Sequence, residues 1–138
     1  MRCLDLPKNT IPNTYLIVGV TEDNDTLKAK GLTVMSGAER AEVVRACKHV
    51  DEVIEDCPPV LLPDFMEEYN IDYFAHHDEP LPLGYSDPYE FVKRDGKFLV
   101  IPRTKGISST SIVTRIIRDR DKYIARSILR WGVSPEEA

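Results

Sequence analysis

The sequence predicts an α/β protein built on a parallel sheet with flanking helices. Two short runs, 14–20 (TYLIVGV) and 97–101 (KFLVI), are almost continuously apolar and β-rich, as strands covered on both faces are. Strand-length apolar runs alternate with helix-start signals along the chain, the order expected of a parallel α/β sheet. A chain of 138 residues, 42% hydrophobic and 30% charged, is one domain long enough to bury a real core.

In chain order, Cys3, Leu4 and Leu6 could share a helix, but Pro7 is expected to stop it early and no cap precedes it. Pro12-Asn13 reads as a turn before the first strand. Glu22 to Asp25 reads as an acidic loop, followed by Leu27-Lys28-Ala29-Lys30-Gly31. There Lys30 puts a cation beside a flexible hinge, although a surface lysine is the commoner meaning. Ser36-Gly37-Ala38-Glu39 is a capping box, and Ala38, Ala41, Val44 and Cys47 give the helix an apolar stripe. Residues 50–55 (VDEVIE) read as a short strand, and Cys57-Pro58-Pro59 as a stiff linker to a helix over 63–69. The strand 71–75 (IDYFA) ends at His76-His77-Asp78. Ser86-Asp87-Pro88 opens a further helix, with proline in the first turn where it costs least, and that helix ends near Asp95-Gly96.

After the strand at 97–101 the chemistry becomes specific. Pro102 to Gly106 breaks the apolar pattern with a proline, a glycine and the cations Arg103 and Lys105. Ser108, Ser109, Thr110 and Ser111 are possible N-caps, and Ile112, Val113, Ile116 and Ile117 follow at helical spacing. A strand, a glycine-containing loop and a capped helix start make an anion site, because the first-turn N–H groups lack intrahelical partners and the dipole is positive there. Arg103 adds a planar fork suited to phosphate oxygens and Lys105 a point charge. An ordinary β-turn-α connection with a solvated arginine is the plainer reading of the same residues. Ligands of parallel sheets gather at the carboxyl ends of strands. Lys30, His76, His77 and Arg103 are all expected just beyond strand ends, where they would converge on one cleft.

The net charge of −5 excludes a general nucleic-acid binder, so any phosphate site is a local cluster of cations. Three cysteines without a CxxC pair or a signal sequence point to a reducing compartment, and the expectation is a cytoplasmic or nuclear protein. No apolar run approaches the roughly 20 residues of a membrane span. Beyond Ile117, Arg118, Arg120, Lys122, Arg126 and Arg130 interleave with Ile124, Ile128, Leu129 and Trp131. An amphipathic membrane-surface helix has this pattern, but the short apolar stripe and nearby acids favour a helix packed on its own domain. Adjacent strand residues point to opposite faces, so His76-His77 makes a poor metal pair and no metal ligands are assigned.

Taken in order, PNTYLIVGV (12–20), Lys30-Gly31, Glu39-Arg40, VDEV (50–53), Ala75-His76 and RTKGIS (103–108) resemble the catalytic domain of choline-phosphate cytidylyltransferases. The resemblance implies a Rossmann-like nucleotidyltransferase over 1–117, with 118–138 a C-terminal helical extension packed on it. It implies transfer of CMP from CTP to phosphocholine with Mg2+, giving CDP-choline and pyrophosphate for phosphatidylcholine synthesis. It also implies a homodimer touching through VDEV. Lys30 would neutralise the phosphates of both substrates, phosphocholine included, and Lys30 with Arg103 would be catalytic. His76, His77, Arg103, Thr104, Ile107 and Ser108 would hold CTP. The phosphocholine oxygen would attack the α-phosphate in line while cations carry the developing charge.

The chain departs from the family at several positions. The family's HxGH motif has no counterpart and by spacing would end immediately before Met1, so the sheet is expected to lack its first strand. Turnover by this polypeptide is accordingly expected near background. Lys105, Pro59, His77, Leu81 and Pro102 stand where the family has an acid, an aromatic, an aspartate, a tyrosine and a glutamine. Loss of an aromatic and an anion weakens a quaternary-ammonium pocket more than a phosphate site. The alternatives are an inactive relative serving as a nucleotide-binding or dimer-partner module, and an unrelated Rossmann-like binding domain.

Overall fold

A computed structural model describes residues 2–60, 62–78, 87–103, 106 and 108–132, with the backbone alone at Arg2, Cys3 and Trp131. The chain divides into two compact units, Met1–Arg103 and Thr104–Ala138.

The first unit runs α1 (Arg2–Thr10), β1 (Ile17–Gly19), α2 (Asp23–Lys30), α3 (Gly37–Arg45), β2 (Glu52–Ile54), α4 (Pro63–Glu68), β3 (Phe74–His76), α5 (Glu90–Arg94) and β4 (Phe98–Val100). All four predicted strands form, each shortened to three residues. Both pairings are parallel, as the apolar runs and the intervening helices require. In one pair Ile17, Val18 and Gly19 lie opposite Glu52, Val53 and Ile54. In the other, Phe74, Ala75 and His76 lie opposite Phe98, Leu99 and Val100. The parallel α/β class therefore holds, with the strands arranged as two separate pairs; β1 and β3 are not bonded to each other. The buried apolar core is Leu16, Val20, Ala41, Cys47, Cys57, Met66 and Val92. It draws on the flanks of the β1–β2 pair and on α3 and the turn after it, α4 and α5.

Two local expectations are corrected. The first helix passes through Pro7 instead of stopping before it. Pro7 is buried, and the helix is secured by tertiary bonds: Lys8 donates to the Thr14 carbonyl at 2.8 Å and pairs with Asp51. Tertiary contacts thus outweigh the lost backbone bond. The acidic stretch after Thr21 is the start of α2, with Asp23 and Asp25 in its first turn, where the helix dipole favours anions. Lys30 consequently closes a helix instead of following a strand end directly. The capping box of α3 forms as read: Ser36 Oγ accepts from the Glu39 N–H and Glu39 accepts from the Ser36 N–H.

The second unit contains α6 (Ser109–Arg118) and α7 (Arg120–Trp131), joined through Asp119 alone. Ser108 is the N-cap of α6, its hydroxyl accepting from the Ser111 N–H at 3.1 Å. Helix α7 ends at Gly132 with φ 68°, the left-handed cap that glycine takes without strain. No helix among the described residues is long and apolar enough to cross a membrane.

Candidate active site

The carboxyl end of the β3–β4 pair collects the titratable and aromatic side chains. His76 is the last residue of β3, and its carbonyl accepts the Ile101 N–H at 2.9 Å, so the ladder continues one step past β4. His76 Nδ1 lies 2.9 Å from the His77 carbonyl and His77 Nδ1 lies 2.6 Å from the Ile101 carbonyl. A carbonyl oxygen only accepts, so both Nδ1 atoms carry a proton. In the neutral ring His76 Nε2 is then an acceptor, and the Tyr89 hydroxyl stands 3.5 Å from it.

Beneath the histidine is a bed of rings. Tyr89 lies 4.8 Å from His76, 5.1 Å from Phe74 and 5.7 Å from Phe98 between centroids, and Phe74 lies 6.0 Å from Phe98 across the ladder. These are the separations at which aromatic pairs add to simple burial. Tyr89 precedes α5 directly, and its N–H donates to Asp87 Oδ1 at 2.9 Å. The Asp87 carboxyl is held below the usual carboxylate range, first by the Lys93 ammonium and then by that N–H.

The predicted site residues fall in different parts of the chain. His76 and His77 share one strand end, and Arg103, exposed, is the third residue after β4 and the last of the same unit. Lys30 ends α2 with an exposed side chain that makes no ion pair among the described residues, and Gly31 follows it at φ 85°. Ser108 caps α6 in the second unit, and Thr104, Lys105 and Ile107 lie outside the described residues. Leu81 lies outside them too, while Pro59 is exposed. Sequence reasoning did not assign Tyr89 or Lys93 to the site. Their signal was faint: two residues one helical turn apart, directly after an aspartate-proline turn.

Strand, crossover helix and parallel strand define an α/β protein of the Rossmann-like kind. The chain belongs to the cytidylyltransferase-like family, whose profile matches residues 1–115. It is 49% identical over 138 residues to a probable choline-phosphate cytidylyltransferase of Schizosaccharomyces pombe, covering 99% of this chain and 38% of that protein. It is 46% identical to human choline-phosphate cytidylyltransferase A, covering 98% of this chain and 37% of that protein. An ethanolamine-phosphate cytidylyltransferase of Arabidopsis thaliana is 44% identical over 108 residues, 74% of this chain and 25% of that protein. The chain thus spans less than half the length of these curated relatives.

Proposed function

We propose that this chain is the nucleotide- and phosphocholine-handling part of a cytidylyltransferase that makes CDP-choline and pyrophosphate from CTP and phosphocholine. The observation that carries the reading is the extent of the likeness. Relatives named for choline phosphate match 98–99% of the chain, whereas the ethanolamine-phosphate relatives match 74%. The exposed Lys30 ammonium and the Arg103 guanidinium would neutralise phosphate charge as it develops, and His76 would offer Nε2 at the strand end. Thr104, Ile107 and Ser108 enter the reading through the RTKGIS motif alone. Among the described residues no three His, Cys, Asp or Glu side chains group to hold a metal ion. Mg2+ would therefore arrive with the triphosphate, held by phosphate oxygens and water. A second copy pairing through 50–53 is part of the same proposal, and sedimentation of the chain as a monomer would count against it.

Calorimetry with CTP tests the reading. Arg103→Ala should weaken binding by about 1.5–3 kcal/mol, the value of a charge-assisted contact. Equal CTP affinity of the two proteins would sink the assignment of Arg103, and no affinity in either would sink the nucleotide reading. Formation of CDP-choline in preference to CDP-ethanolamine would support phosphocholine as acceptor. Because HxGH is absent from this chain, CTP binding with turnover near background is the expected outcome, and robust CDP-choline formation would show that other residues do the chemistry.

A further inference from the structure

Lys93, which the family motifs leave unassigned, joins the two segments that carry the site's rings. Its ammonium donates to Asp78 Oδ1 at 2.7 Å and to Asp87 Oδ2 at 2.8 Å, and it lies 4.9 Å from the centre of the Phe98 ring. Asp78 stands two residues after His76, and Asp87 two residues before Tyr89. Asp87 uses its other oxygen to accept the Tyr89 N–H, and the Lys93 N–H donates to the Tyr89 carbonyl at 3.0 Å. One ammonium thus clamps the segment leaving β3 to the segment entering α5. Between those segments the Tyr89 ring lies against His76. The mutual contact raises the Lys93 pKa, through Asp78 first and Asp87 second.

We propose that Lys93 is a positioning residue for ligand binding at this site, setting how the Tyr89 ring lies against His76 and so where His76 Nε2 points. The inference rests on the CTP reading above. Partly exposed ion pairs contribute little to global stability, and the Lys93 side chain is 34% exposed. The effect should therefore appear in binding, where rings already ordered spare the ligand the entropy of ordering them.

The test compares Lys93→Met and Lys93→Arg, each in the native background and with His76→Ala. Lys93→Met should weaken CTP binding about 3–10-fold, the cost of immobilising one or two side chains on binding. Lys93→Arg should restore it, because a guanidinium can serve both carboxylates. With His76→Ala in place, Lys93→Met should add no further loss. Equal loss in both backgrounds, or failure of arginine to rescue, would overturn the proposal. A second measurement needs no ligand: the nuclear Overhauser contact between the Tyr89 and His76 rings should vanish in Lys93→Met and persist in Lys93→Arg. Its persistence in Lys93→Met would overturn the positioning role whatever the nucleotide does. Absence of CTP binding by the native chain would instead defeat the functional reading, with the ring contact still deciding the role of Lys93.

Discussion

Gly19 sits in β1 where a side chain has no room. A Cβ there would lie 2.4 Å from Cys57 Sγ and 2.9 Å from Cys57 Cβ. Both distances are below any normal carbon contact, so the strand and the turn after β2 approach as closely as they do only because residue 19 is glycine. Cys57 is buried, and burial pushes its thiol pKa up, so at neutral pH it is a packed thiol and not a reactive thiolate. Gly19→Ala should destabilise the protein by about 1–3 kcal/mol, as overpacking does in a close-packed interior. Urea unfolding would read this out, and adding Cys57→Ala should return part of the loss because the sulfur is the nearest obstacle. A Gly19→Ala protein with an unchanged urea midpoint would mean that β1 and residue 57 move apart at no cost. The sequence shows this glycine inside an apolar run, but nothing local says that residue 57 is the neighbour that demands it.

Among the elements, the helices that were legible are those whose end signals are local. Ser36 and Glu39 cap α3 from three residues apart, and Ser108 caps α6 by reaching Ser111. The helices that were misread depend on residues distant in sequence. Asp23 accepts the Gly37 N–H at 3.0 Å and the Arg40 guanidinium at 2.7 Å, so α2 begins where its acids can serve the start of α3. Helix α1 survives Pro7 because Asp51 binds Lys8 and also accepts the Leu16 N–H at 2.6 Å, tying the helix to the start of β1. The site divides in the same way: the strand-end histidines could be placed from the apolar run before them, while the Lys93 clamp needed the fold. The Leu16 N–H first, and Lys8 second, hold the Asp51 carboxyl below its ordinary value. A depressed folded pKa contributes stability that is present above the unfolded value of about 3.9 and is lost as the pH falls through the folded one. Asp51→Asn should therefore lower the urea midpoint at pH 7. The gap from the native protein should close as the pH drops below about 4, since both then lack the carboxylate. A gap of constant size from pH 7 down to acid would show that the charge of Asp51 is irrelevant to the tie.

At the scale of the molecule, the two strand pairs leave an unusual hydrogen-bonding situation. In a two-stranded parallel sheet each strand turns alternate residues toward its partner, and the remaining backbone groups face outward. Leu16 and Val20 face β2: the Leu16 carbonyl accepts from Glu52, and Val20 donates to Ile54 and accepts from Cys57. By alternation Val18 does the same, whereas Ile17 and Gly19 face away. In the other pair Phe74 donates to the Lys97 carbonyl and the His76 carbonyl accepts from Ile101, which leaves Ala75 facing away from β4. The continuous apolar runs announce strands covered on both faces, yet among the described residues each strand is paired along one edge alone, and two strands alone are marginally stable. That mismatch explains why the class of the fold was readable from the runs while the division of the sheet was not. Run composition reports burial of the faces and says nothing of which strand lies alongside. Amide hydrogen exchange on the purified chain tests the arrangement directly. Val18 and Val20, and likewise Phe74, should be protected well above Ile17, Gly19 and Ala75, giving an alternating pattern along each strand. Equal and strong protection of all these amides in a monomer would show that the outward edges are paired in solution and that the two-pair arrangement is wrong.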